Sequence, residues 1–132
     1  MDRAQAIHER NAEDAVSFYA DDIVNFDIAP PLAYRGREAT DPAELQGWFD
    51  SWAGSINLSF EQVFVHVADN IAFAHCLMRM VGPRTDNTHT DVWARMTLGF
   101  RKHGGDWKIV HEHQSFPTKM DGSGLSVSDL KP

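Results

Sequence analysis

The stretch Trp107-Lys-Ile-Val-His111-Glu-His113-Gln-Ser115-Phe-Pro117 decides how this chain is read. Trp107, Ile109, His111, His113 and Ser115 share one parity, and Lys108, Val110, Glu112, Gln114 and Phe116 share the other. A strand sends alternate side chains to opposite faces. One face would therefore begin apolar and end in two imidazoles and a hydroxyl. Titratable groups that continue an apolar parity look like the lining of a cavity, so this strand is expected to form one wall of an interior pocket.

Working outward, His103-Gly104-Gly105-Asp106 reads as a hairpin turn before that strand. Three more alternating segments precede it, near residues 58–68, 71–81 and 88–102, separated by Asp69-Asn70 and Gly82-Pro83. The first half of the chain has the helical period instead. Residues 3–10 are compatible with a short helix. Asn11 caps a second helix expected over residues 12–20, with Asp14 placed to answer the cap and Ala12, Ala15, Val16 and Tyr19 as its apolar stripe. A short strand is expected over residues 23–27, and Pro30-Pro31 excludes helix from the segment after it. Asp41-Pro42 with Glu44 reads as a capping box, followed by Leu45, Trp48, Phe49 and Trp52 at i, i+3, i+4 and i+7, with Gly54 as the stop. Helices followed by a four-strand antiparallel meander give an α+β arrangement, with helices on one sheet face. The long strands carry apolar residues on both parities, more than one helical layer can cover, so a homodimer through the sheet is expected.

The 132 residues fit one domain, residues 1–120, with a Ser-, Gly- and Asp-rich tail over 121–132. A net charge of -7 argues against a nucleic-acid partner. There is neither a basic amphipathic segment nor an apolar run of about 20 residues, so no membrane association is expected. The first residues lack a secretory pattern and the single Cys76 has no internal partner, which points to a cytoplasmic protein. No cofactor is expected: Gly104-Gly105 lies between strands and offers no phosphate cradle, and no serine sits in an elbow motif.

The run Tyr19-Ala-Asp-Asp22-Ile-Val-Asn-Phe-Asp27 with Pro30-Pro31-Leu-Ala-Tyr34-Arg-Gly36 resembles the ketosteroid-isomerase-like branch of the NTF2-like superfamily. Arg95 with Thr97, Phe100-Arg-Lys102 and Gly105-Asp-Trp107 through Ser115 with Pro117 resemble its SnoaL-like subgroup. The resemblance spans the chain to about Pro117. It implies a cone of three N-terminal helices packed on a strongly curved antiparallel sheet, an interior pocket and usually a dimer. The superfamily spans isomerases, cyclases, dehydratases, hydrolases and non-enzymatic domains, so the fold alone does not name a reaction. By resemblance Asp27 matches the isomerases' general base. Their oxyanion tyrosine would fall near Arg3 and Ala4, and their oxyanion acid near Leu98, where neither residue type stands. Steroid isomerisation by the familiar oxyanion-hole mechanism is therefore not expected.

A different polar set is placed on the expected pocket parity: His75 and Arg79, then Asp91, Trp93, Arg95 and Thr97, then His111, His113 and Ser115. In this reading Asp27 is the base, His111 or His113 shuttles a proton, and Arg95 binds a carboxylate or an enolate. Tyr34, Trp48, Trp52, Trp93 and His75 would line the cavity around a small apolar, carbonyl-bearing molecule. Each has a structural alternative: Asp27 and Arg95 as a buried pair, the histidines as satisfied core groups, the tryptophans as core. His111 and His113 would project the same way at roughly 6–7 Å, but without a third patterned ligand no metal is assigned. Cys76, on the parity opposite His75, would face the dimer side. The outcome is an enzyme of proton transfer (isomerase, cyclase or dehydratase type) or, alternatively, a non-catalytic ligand-binding or dimerisation module.

Overall fold

Two short helices, α1 (Arg3–His8) and α2 (Ala12–Val16), lead into strand β1 (Tyr19–Phe26). Strand β2 (Tyr34–Arg35), a single turn α3 (Arg37–Thr40) and α4 (Pro42–Phe49) follow. Four long strands complete the chain: β3 (Asn57–Ala68), β4 (Ile71–Pro83), β5 (His89–His103) and β6 (Asp106–Ser115). The computed structural model describes residues 2–132. The six strands form one sheet in the order β2-β1-β6-β5-β4-β3. Every neighbouring pair is antiparallel except β1 with β6, which is parallel. The helices lie against one face of this curved sheet, which gives the α+β cone.

Local chemistry sets most boundaries. Asp2 caps α1 by accepting from the Gln5 amide at 2.8 Å, and Asn11 caps α2 by accepting from Asp14 at 3.1 Å. Asp14 answers as expected, accepting from Asn11 Nδ2 at 2.8 Å. Asp41 caps α4 by accepting from the Ala43 amide at 2.9 Å. The expected return bond from Glu44 does not form, because the Asp41 N–H already donates to Arg37 O of α3 at 3.0 Å. Helix α2 is shorter than the periodicity predicts. Phe18 and Tyr19 leave it for the sheet, where Phe18 O accepts from Ile109 N at 2.9 Å and Tyr19 pairs with Ile109. A ladder partner from the far end of the chain overrides a marginal local helix.

The buried side of β4, β5 and β6 carries Ala72, Ala74, Met78, Ala94, Met96, Ile109 and Glu112. Its rows read Ala74–Leu98–Glu112, Cys76–Met96–Gln114 and Met78–Ala94. Phe49, Trp52 and Ile56 pack with Ala6, Ile7, Ala12 and Ala15 into the core beneath the helices, against Leu58 and Met80 of the sheet. Bulges bend β3 and β6. In β3, Gln62 has φ +53° and the register slips between Glu61 and Phe64. In β6, Ile109 opposes Phe100 and His111 opposes Gly99, which leaves Val110 as the extra residue.

The second bulge corrects the reading of β6. Up to Ile109 the odd positions face the helices; after Val110 the even ones do. Ile109 and Glu112 therefore share the concave face, and His111 and His113 point to the other side. The cross-strand neighbours follow: His75–Thr97–His113, Leu77–Arg95–Ser115 and Arg79–Trp93 lie on the outer, open face. Cys76, expected to face outward, lies on the inner one.

Candidate functional site

The inner face of β6 ends in a polar cluster built from three elements. Glu112 is completely buried. Its Oε2 accepts from the Tyr19 hydroxyl of β1 and from Arg3 Nη2 of α1, the latter at 3.3 Å. Its Oε1 accepts from Gln114 Nε2 at 3.1 Å. Arg3 Nη2 also donates to the Tyr19 hydroxyl oxygen at 2.5 Å. Asn25 of β1 sits beside Glu112 in the parallel ladder. Among the described residues, Arg3 Nε and Asn25 Oδ1 are buried with no hydrogen-bond partner, both close to the Glu112 carboxylate.

The electrostatics fix the states of the donors. Burial disfavours the Arg3 charge, but the Glu112 carboxylate and the hydrogen bond to Tyr19 outweigh it, so Arg3 is held cationic more firmly than a free arginine. Burial pushes the Tyr19 hydroxyl well above its ordinary range, and Arg3 only partly offsets this, so Tyr19 acts as a neutral donor. Every oxygen of Glu112 is engaged, which suits it to hold other groups in place.

Asp27 follows the end of β1 at the lip of the cone. By surface area it is exposed, yet protein crowds its inner side, and burial is the leading influence that raises its carboxyl above the usual range. The Ile28 amide, donating to Oδ1 at 2.7 Å, pulls it down; the Glu112 charge pushes it up and Arg3 pulls it down. Its Oδ2 is uncommitted among the hydrogen bonds of the described residues. Tyr34 of β2 pairs with Asn25 across the ladder, and its hydroxyl donates to Pro30 O at 3.1 Å. Burial and then the Asp27 charge raise its hydroxyl.

The other expected site residues are elsewhere. His111 and His113 flank the Phe26 ring on the outer face, with ring centroids 4.9 and 5.4 Å from it and 6.4 Å from each other. His111 Nδ1 donates to Val24 O at 2.7 Å. Arg95 Nε donates to Ser115 Oγ at 3.2 Å, and Arg79 is paired with Asp91 at 2.7 Å. His75 packs near Phe64, also outside. The sheet separates all of these, and Trp93, from the cluster around Glu112. Trp52 is core, with Arg84 stacked over it at 4.2 Å. Trp48 is half-buried against Trp52. Among the described residues, no group of three or more His, Cys, Asp or Glu is placed to hold a metal ion.

Arg3, Tyr19 and Glu112 did not emerge from the sequence. Tyr19 read as part of a helical stripe, and Glu112 read as the solvent parity between two histidines. The available signal was the adjacent apolar pair Ile109-Val110, which a strictly alternating strand with one wet face does not accommodate. Two of the concavities that open on the surface stand apart from this cluster's carboxylate. One, of about 540 Å³, lies between the α1–α2 turn and the start of α4. The other, of about 780 Å³, lies beside Asp21, Asp22, Arg101 and Lys108, and Tyr19 forms part of its wall. Neither is lined by Trp48, Trp52 or Trp93.

A family model described as SnoaL-like domain matches residues 2–119. No curated protein matches the chain. Among solved structures, an NTF2-like protein of unknown function from Pseudomonas putida KT2440 is 32% identical over 98% of this chain and 89% of its own, with a TM-score of 0.84. An NTF2-like superfamily protein from Salmonella enterica serovar Typhimurium LT2 is 19% identical over 92% of this chain and 89% of its own, with a TM-score of 0.73. A candidate dehydratase of the NTF2-like family from Streptomyces avermitilis is 15% identical over 85% and 87%, with a TM-score of 0.70. The last two are likenesses of fold.

Proposed function

The chain belongs to the SnoaL-like domain family within the NTF2-like superfamily, and from that premise we propose that its cone receives a small carbonyl-bearing molecule on which Asp27 performs proton transfer. The observation that carries this reading is the Asp27 carboxyl itself. It stands at the lip with Oδ2 uncommitted and is raised by burial, and it feels both Glu112 and Arg3 behind it. A carboxylate shifted toward neutrality is a better base for a carbon acid than an ordinary surface aspartate.

In the proposed step, a proton on the carbon next to the carbonyl passes to Asp27 and the C–H electron pair moves to form the enolate. Arg3, held cationic, supplies the compensating positive charge across the cone. Returning the proton to another carbon gives an isomerase; expulsion of a neighbouring hydroxyl, which takes the proton from Asp27 and leaves as water, gives a dehydratase, the activity suggested for the Streptomyces relative. His111, His113 and Arg95 have no part in this version, because they stand on the outer face.

A second reading has its own support. Met78 and Met96 are only 3% and 4% exposed on the inner face, with Leu58, Met80, Leu98 and Phe116 packed against them. A cone so filled fits a non-catalytic binding or dimerisation module. The two readings separate in a proton-exchange assay. Enolisable ketones in D2O would be followed by NMR, with deuterium uptake at the α-carbon as the readout. Asp27→Asn is expected to lower the protein-dependent exchange by about 100-fold or more. Equal exchange by both proteins would discard the catalytic reading.

We also propose that the outer sheet face meets a second copy of this chain. Phe64 and Phe73 are 56% and 49% exposed there, beside Ile71. Although the chain is acidic overall, two acids on this face are paired, Asp91 with Arg79 and Asp22 with Arg101 at 2.9 Å, and Arg95 and Lys108 offset the others. A face whose charges are largely compensated is where two acidic chains meet with least repulsion.

A further inference from the structure

Building on that self-association, we propose that the outer-face contact is governed by protonation of four imidazoles, His66, His75, His111 and His113, so that two copies separate as the pH falls. The outer face has two aromatic ridges. On β3 and β4, His66 stacks on Phe73 with centroids 4.6 Å apart, Phe64 lies 5.4 Å from His75, and the two imidazoles are 6.2 Å apart. On β6 and β1, Phe26 packs edge-on against His111 and His113. Strand β5 runs between them and shows only Gly99 and Thr97 at those levels. The register rows are His66–Phe73–Gly99–His111 and Phe64–His75–Thr97–His113. The face is thus a trough with an imidazole–phenyl wall on each side.

Neutral imidazoles suit such a contact. The His111 ring is oriented by its Nδ1–H donation to Val24 O, which leaves Nε2 bare. A charged imidazolium removed from water without a counter-ion is costly. The counter-ions on this face are few. Among the described residues, Glu61 on β3 and Asp106 on β6, which pairs with His103, are acids of this face's strands without an arginine partner, and His89 and His103 stand at the two ends of β5, outside the aromatic rows. Asp91 on β5 and Asp22 on β1 are held by Arg79 and Arg101. Arg95 on β5 and Lys108 on β6 add positive charge. Joining two copies doubles the imidazoles in one contact. The associated state therefore binds fewer protons than the separated chains, and association weakens as pH falls through the range in which imidazole titrates.

Sedimentation velocity on the full chain, from about pH 8 to about pH 5.5, tests this, with near-ultraviolet circular dichroism to follow the fold. The expected result is a dimer whose Kd weakens by roughly 100-fold or more across that range. Replacing His66 and His75 by Gln should flatten the response, and replacing all four should abolish it. His8→Gln, on α1 away from this face, should leave it intact. A dimer equally tight at both ends overturns the switch while leaving self-association standing. A chain monomeric at both ends overturns self-association and the switch with it. A full response in the fourfold variant overturns the assignment to these imidazoles.

Discussion

The two faces of one sheet, built from the same strands, solve opposite problems. The inner face buries alanines, methionines and one carboxylate whose every oxygen has a donor. The outer face leaves imidazoles and phenyls in the open, with Asp91 and Asp22 held in arginine pairs. Polarity alone does not say which face is inside. Glu112 is more polar than His113 and is the buried one, because Tyr19, Arg3 and Gln114 converge on it. What decides is whether the neighbours can satisfy the group.

That contrast breaks most visibly at adjacent residues. Glu112→Ala would leave Arg3 buried without its partner and is expected to cost about 3 to 5 kcal/mol, at the lower end because Arg3 keeps some contact with water. His113→Ala, one position on, should change stability by no more than about 0.5 kcal/mol. Urea denaturation of both variants measures the difference, and equal losses would mean that the two faces are not energetically distinct.

A pair of glycines sharpens the same comparison. A Cβ at Gly82, on the inner side, would lie 2.8 Å from Ser55 O and 2.9 Å from the Trp52 ring. Neither can retreat easily, so Gly82→Ala should cost about 1 to 3 kcal/mol. At Gly99, on the outer side, the nearest atom would be His111 Cβ at 3.4 Å, an ordinary contact. Gly99→Ala should be neutral within about 0.5 kcal/mol in thermal melts. It would also partly fill the floor of the trough.

The smallest effect concerns Asp27. Its carboxyl is raised in the folded protein, so the folded state binds the proton more tightly than the unfolded state. Its contribution therefore favours folding at low pH and declines as pH rises from the ordinary aspartate range through the raised value. Asp27→Asn removes that decline, and the variant should be slightly more stable than the parent at neutral pH. Melting temperatures across the acid range would show it; a less stable variant at neutral pH would mean that Asp27 makes a stabilising contact instead.

Much of the fold was legible in the chain. The Asn11 and Asp41 caps, the hairpin at Gly104-Gly105 and the alternation of four long strands each follow from local chemistry, and all appear with small boundary shifts. What escaped was non-local. Tyr19 has a helical neighbourhood and is claimed by Ile109, ninety residues later in the chain. The site was less legible because facing depends on phase, and phase depends on an irregularity. Asp27 could be found because resemblance pointed to it. Arg3 and Glu112 could not, since each acquires its meaning from the other across the fold.

The unpaired Val110 acts as a change of reading frame within a strand. Before it and after it, β6 is written in opposite phase, so the side chains at the mouth of the cone are chosen by the presence of one residue that does nothing chemical. Deleting that residue would turn two imidazoles inward and expel a carboxylate with no change to any of the three. A scaffold built this way can exchange the side chains that face its helices through the gain or loss of a single codon.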